Sequence, residues 1–156
     1  MIEVKIDDKG LKRIIGNLRK TITAEALHKA IGARILQFVN DNFESDGKLV
    51  ISSGWPALSP VTISLRRKGS SLILRDYGKL KQSFDIFGVK ADSKAVTIGT
   101  ADVRASLHQH GGKVKWGNHY VTIPARPMIP AAEKAKSIIK PLLEERLKRI
   151  AANARN

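Results

Sequence analysis

The chain has 156 residues, 42% hydrophobic and only 5% aromatic, enough for one domain with a mostly aliphatic core and short for two. Twenty-eight Lys and Arg against fourteen Asp and Glu leave a formal charge of +14, which favours an anionic partner such as nucleic acid, an acidic protein face or anionic lipid. With no cysteine, disulfides, thiolate metal sites and a cysteine nucleophile are excluded.

No run reaches the roughly 18 apolar residues needed to span a membrane. The first residues lack the basic and apolar regions of a signal peptide, so a cytoplasmic setting and no membrane partner are expected. Ile2, Val4 and Ile6 alternate with Glu3 and Lys5, which predicts a short half-buried strand. Leu11, Ile14, Ile15, Leu18 and Ile22 recur at helical spacing. Thr23 is placed to cap a second helical run with Leu27, Ile31, Ile35, Phe38 and Val39 on one face. The two runs are one bent helix or two. Gly16 and Gly32 each cost about 1 kcal/mol against alanine inside a helix and mark expected points of close packing. The helix frays by Asp46-Gly47.

Ser45 to Pro60 is turn-rich, an ordered loop anchored by Trp55 and Leu58. Ser59 before Pro60 predicts a helix start, the hydroxyl capping and the proline lacking an N–H that would be orphaned there. That short helix carries Ile63, then Arg66, Arg67 and Lys68, and ends near Gly69. A further short helix from Asp76 turns Leu80 inward. Phe84, Ile86 and Gly88 alternate toward Lys90 as a strand, Asp92-Ser93 turns it, and Ala95 to Thr100 returns as its hairpin partner. Val103, Leu107 and Gln109 lie on a short helix ending at Gly111-Gly112. The basic stretch Lys113–Lys115 forms a loop, and His119 to Ile123 forms a third strand before Pro124. From Ala131 the chain is helical, with Ile138, Ile139, Leu142, Leu143, Leu147 and Ile150 as its stripe and Pro141 kinking or dividing it.

The expected class is therefore α+β in a single domain: N-terminal helices (1–50) packed on a small antiparallel β-sheet, a β-meander with short inserted helices (51–130), and a C-terminal helix (131–156). Three of the four histidines, His108, His110 and His119, fall in the heavily punctuated stretch Ala105–Pro130. As metal ligands they lack cysteine or nearby carboxylate company, and His108 and His110 at i and i+2 point to different helix faces. The His-Gln-His-Gly run resembles a metal nuclease of the ββα class only superficially. There is no Gly-x-Ser-x-Gly elbow, no phosphate-binding glycine loop and no evident carboxylate pair. Neither catalysis nor a cofactor is expected. Arg66, Arg67, Lys113 and Lys115 are candidate nucleic-acid contacts, Trp116 adding an aromatic beside the lysines; the alternative is a solvated loop tip.

Five short runs, in order, resemble the phage virion morphogenesis family, the tail-completion proteins of Mu-like and P2-like phages and prophages. They are Trp55-Pro56-Ala57-Leu58-Ser59 with Thr62; Ile73-Leu74 with Tyr77-Gly78-Lys79-Leu80 and Ser83; Val96-Thr97-Ile98-Gly99-Thr100; His108-Gln109-His110-Gly111-Gly112; and Ile123-Pro124-Ala125-Arg126-Pro127. The chain departs from the family's habit in carrying His110 where an aromatic is common, Arg104-Ala105 where Tyr-Ala is common, and Met128 where Phe is common; packing positions are expected for all three. The resemblance implies a structural subunit of the virion, assembled in the bacterial cytoplasm, acting in tail completion or head–tail joining without catalysis. Its implied partners are copies of itself in a ring and tail-tube or head-connector proteins, with non-specific DNA contact. The family-motif residues Trp55, Leu58, Gly78, Leu80, His108, Gln109, Gly111, Pro124, Arg126 and Pro127 carry the fold or the subunit interface. Arg126, between two prolines, binds a carboxylate or carbonyls within the fold, or reaches a neighbour; the internal role is favoured. A stand-alone basic nucleic-acid-binding module is the main alternative, and a His-dependent metal nuclease the lesser one.

Overall fold

The computed structural model describes Gly16, residues 25–66 and residues 70–153. The strand expected at Ile2–Ile6, the first helical run, the Thr23 cap and Arg67 lie outside the described residues.

Helix α1 (Glu25–Glu44) buries Leu27, Gly32, Ile35, Val39, Asn42 and Phe43. The spacing keeps these side chains on one stripe. The chain then reverses at Asp46 and Gly47, both with positive φ. Trp55 returns to cover this end of the helix, its backbone N–H donating to the Asp46 carbonyl at 2.7 Å. The indole meets Phe43 edge-on at 5.4 Å, and Phe43 also touches the Phe84 ring at 5.8 Å. Ile35, Val39, Phe43, Trp55, Ile73, Leu74, Leu80, Phe84 and Met128 form one core. Its three aromatics cluster together, and the other six members are aliphatic.

The Ser59-Pro60 start is as expected. Ser59 Oγ accepts from Thr62 N at 3.1 Å, and Pro60 opens helix α2 (Pro60–Leu65). This helix ends before Arg66, which is extended. Helix α3 (Lys79–Gln82) follows Gly78, later than the expected start at Asp76, and carries Leu80 into the core.

The hairpin is shorter than its alternation predicts. The Asp85 carboxylate accepts from Phe87 N at 2.9 Å and Gly88 N at 3.1 Å, winding Ile86–Gly88 into a 3-10 turn. Only β1 (Val89–Ala91) and β2 (Val96–Ile98) pair. Asp92 makes the turn, accepting from Lys94 N and Ala95 N at 2.6 and 2.8 Å. These two bonds hold its carboxyl below the ordinary carboxylate range. The ribbon lies on α1 at Gly32, where a Cβ would sit 2.3 Å from Val89 Cγ1. Close packing there is as expected; at Gly16, nothing among the described residues lies within 4 Å of a Cβ.

Helix α4 (Arg104–His110) leads to a second ribbon, β3 (Gly112–Trp116) with β4 (His119–Ile123). The basic loop expected at Lys113–Lys115 is a strand, because Lys-Val-Lys-Trp alternates with period two and Gly117-Asn118 supplies the turn. The two ribbons are separate two-stranded sheets, not one continuous meander. Helix α5 (Ala132–Asn153) runs through Pro141 undivided and packs Ala135, Ile138 and Ile139 against the core. Leu143 and Leu147, at the far end of its stripe, stay exposed. The architecture is α+β, with α1 and α5 as its long elements and two antiparallel ribbons between them. No helix among the described residues is long and apolar enough to cross a membrane.

Candidate functional site

Beyond β4 the chain reads Pro124-Ala125-Arg126-Pro127-Met128-Ile129-Pro130. Ile123, Arg126 and Ile129 each precede a proline and are biased to extended backbone. Three of the seven residues have no N–H. The remaining polar backbone must find partners elsewhere in the fold. His108 O accepts from Arg126 N at 2.6 Å. Gln109 Oε1 accepts from both Met128 N (2.8 Å) and Ile129 N (3.1 Å), while its Nε2 donates to Ile129 O at 3.1 Å. Pro127 O accepts from Trp55 Nε1 at 2.9 Å and Asn42 Nδ2 at 3.2 Å. The same amide of Asn42 lies 3.3 Å from Met128 O. An extended segment is thus pinned by the side chains of one tryptophan, one glutamine and one asparagine, from three separate parts of the chain.

Arg126 turns back into the protein and is only 5% exposed. Its Nε donates to Pro56 O at 2.9 Å and its Nη2 to Ala57 O at 3.1 Å. The planar guanidinium fork suits two carbonyls on neighbouring residues. Burial, and the charge of nearby Arg66, lower its pKa. Gly111 makes the turn out of α4 with φ 73°. A Cβ there would lie 2.8 Å from Ala125 N and 3.0 Å from Ile123 O, so only glycine lets the helix end press against this segment.

The structure therefore brings Trp55, His108, Gln109, Gly111, Pro124, Arg126 and Pro127 into one knot. Leu58 packs against its core side. Leu80 is in the core, and Gly78, with φ 72°, starts the helix that carries it. His108 lies partly under the knot, its Nδ1 buried and, among the described residues, without a hydrogen-bond partner. Burial, then Arg126 and Arg104, with a smaller push from Arg66, hold its imidazole below the ordinary range against an opposing pull from Asp102. Arg104 grips Asp102 through Nε at 2.9 Å and Nη2 at 2.5 Å, lowering that carboxyl to about 2. His110 and His119 are exposed. Among the described residues no three His, Asp or Glu side chains are grouped so as to hold a metal ion.

Lys113 and Lys115 stand apart from the knot on β3. Register pairs Lys113 with Thr122 and Lys115 with Tyr120, so these four share one face of the ribbon. The aromatic beside the lysines is Tyr120, 71% exposed. Trp116, expected there, pairs with His119 on the opposite face.

Of the departures from the family habit, Met128 is fully buried and Ala105 packs on the core. His110 and Arg104 are exposed, so packing was the wrong expectation for them. Two further residues were unannounced, one at the site and one at the end of α1. Asn42 is buried on α1, and an asparagine on an otherwise apolar stripe was its visible signal. Arg75 ties Glu44 at 2.6 Å to Asp46 at 2.9 Å across the end of α1.

This order of motifs belongs to a class of proteins that build bacteriophage particles. The chain is a member of the phage virion morphogenesis family, whose model matches residues 6–148. No curated protein and no solved structure matches it significantly.

Proposed function

We propose that the protein is a tail-completion or head–tail joining subunit, made in the bacterial cytoplasm and retained in the virion. It works by assembly, without catalysis, as a ring of identical copies that meets tail-tube or head-connector proteins. The family match across residues 6–148 carries this reading. It is supported by the way the motif side chains are used: Trp55, Gln109 and Arg126 all donate to backbone carbonyls. The excess of positive charge suits a ring that DNA passes through, and the Lys113–Lys115–Tyr120 face adds a surface able to touch phosphate and base.

The test is a phage lacking this gene, with and without the natural protein supplied in trans. Electron microscopy should show heads and tails that fail to join, or tails of defective ends, and normal particles on complementation. Light scattering of the purified protein with tail or connector components should show a larger complex. Normal particles without the gene, or a protein that stays monomeric with every component, would overturn the proposal. A stand-alone DNA-binding role predicts tight binding that survives physiological salt; a contact made only as a passive lining predicts binding lost there.

A further inference from the structure

A cleft of about 600 Å³ opens beside the knot, between α2, the Leu74–Leu80 segment and strand β4. Arg66, Arg104, Arg126 and Lys79 reach it, with His108 and one carboxylate, Asp76. Arg104 is already occupied by Asp102. Among the described residues Arg126 donates to the carbonyls of Pro56 and Ala57, and Arg66 to those of Leu72 (2.5 Å) and Ser70 (3.5 Å). Among the described residues neither guanidinium meets a carboxylate. The carbonyls satisfy N–H groups without neutralising charge, so positive potential is left facing the cleft. His108, whose buried Nδ1 has no hydrogen-bond partner among the described residues, lines the same cleft as these cations. The rest of the wall mixes the hydroxyls of Ser59, Thr62 and Thr122 with the apolar side chains of Leu58 and Ile123.

We infer that this cleft is a docking pocket for an acidic segment of a partner protein, Arg66 and Arg126 receiving a carboxylate while the half-buried Leu58 and Ile123 receive the aliphatic residue beside it. The shape argues for a peptide over DNA. Duplex phosphates lie on a convex rod and call for a broad exposed basic face, whereas this site is concave and partly apolar. Basic residues outnumber acidic ones by 28 to 14 in this chain, so a different protein is the better source of an acidic segment than a second copy. The inference deepens the assembly reading by giving the chemistry of one partner. Peptide binding reads the pocket directly, and particle formation reads the assembly role, so either can fail with the other intact.

The experiment titrates the whole protein with a short fluorescent peptide alternating glutamate and leucine, its glutamine counterpart, and a short DNA duplex. The glutamate peptide should bind about tenfold or more tighter than the glutamine peptide, the range of a charge-assisted hydrogen bond. The His108 ring, followed by NMR, should titrate at higher pH when the glutamate peptide is bound, because a carboxylate has joined the cations around it. Arg66→Ala should lose most of the discrimination, and Arg66→Lys should restore part of it. Equal binding of the two peptides, an unmoved His108 ring, or displacement of the peptide by the duplex would each overturn the inference. The peptide comparison and the His108 titration use the natural chain and hold even if a variant misfolds.

Discussion

The Pro124–Pro130 segment and the β3–β4 ribbon are joined at Ile123 and are treated in opposite ways by the fold. In the first, the backbone groups of Arg126, Pro127, Met128 and Ile129 are taken up by side chains or carbonyls from distant parts of the chain. In the second, among the described residues, backbone bonds run only between the two strands, and Trp116 and Tyr120 are 68% and 71% exposed. An isolated two-stranded ribbon gains little stability in water by itself. The contrast separates two jobs. Trp55, Gln109 and Arg126 of the family motifs bond within the fold, whereas Lys113, Lys115, Trp116 and Tyr120 are exposed on the ribbon, where we propose that they serve contacts outside the chain.

On this division, the largest effects on stability come from the knot. Arg126→Ala removes two hydrogen bonds from a charged, buried donor and should cost about 3 kcal/mol, measured as a shift in urea midpoint at unchanged slope. Arg126→Lys should recover little, since an ammonium cannot present two fixed parallel donors. Gln109→Ala strips three bonds from the 128–129 backbone and should cost about 2 kcal/mol. A loss no larger than that of a surface substitution would show that water replaces the amide and that the knot is less closed than its geometry indicates.

The next effect is in pH. His108 has a folded-state pKa below its unfolded value, chiefly from burial and then from Arg126 and Arg104. The stability tied to its neutral ring is complete above the unfolded value of about 6.5 and is lost as pH falls through the folded one. Chemical denaturation of the natural chain should therefore weaken over that window, and His108→Gln should flatten the dependence. Asp102 acts lower: its stabilising charge is present above the ordinary carboxyl value and lost as pH falls toward about 2.

What could be read from residues in order was local. Ser59-Pro60 specifies a helix start through atoms three residues apart, and Asp92 makes its turn with its own neighbours. Local rules also erred where two of them competed. Phe84, Ile86 and Gly88 alternate like a strand, yet the Asp85 carboxylate, capturing the N–H groups of Phe87 and Gly88, decides the conformation. The lysines of β3 hid a strand because their charge suggested a loop, although period two was present. Pro141 sits inside α5 without dividing it. The knot itself was only half legible. Its residues were picked out as motif positions, but no pattern couples Asn42 to Pro127 across 85 residues; that pairing depends on how α1 and the proline segment meet in space.

The most direct measurement compares folding with assembly in one variant. Lys113, Lys115 and Tyr120 are changed together to alanine, and the unfolding midpoint and the yield of joined particles on complementation are read side by side. The division of labour predicts a stability change within about 0.5 kcal/mol, as for surface positions, together with a sharp fall in particle yield. A destabilised protein that still completes particles would contradict it.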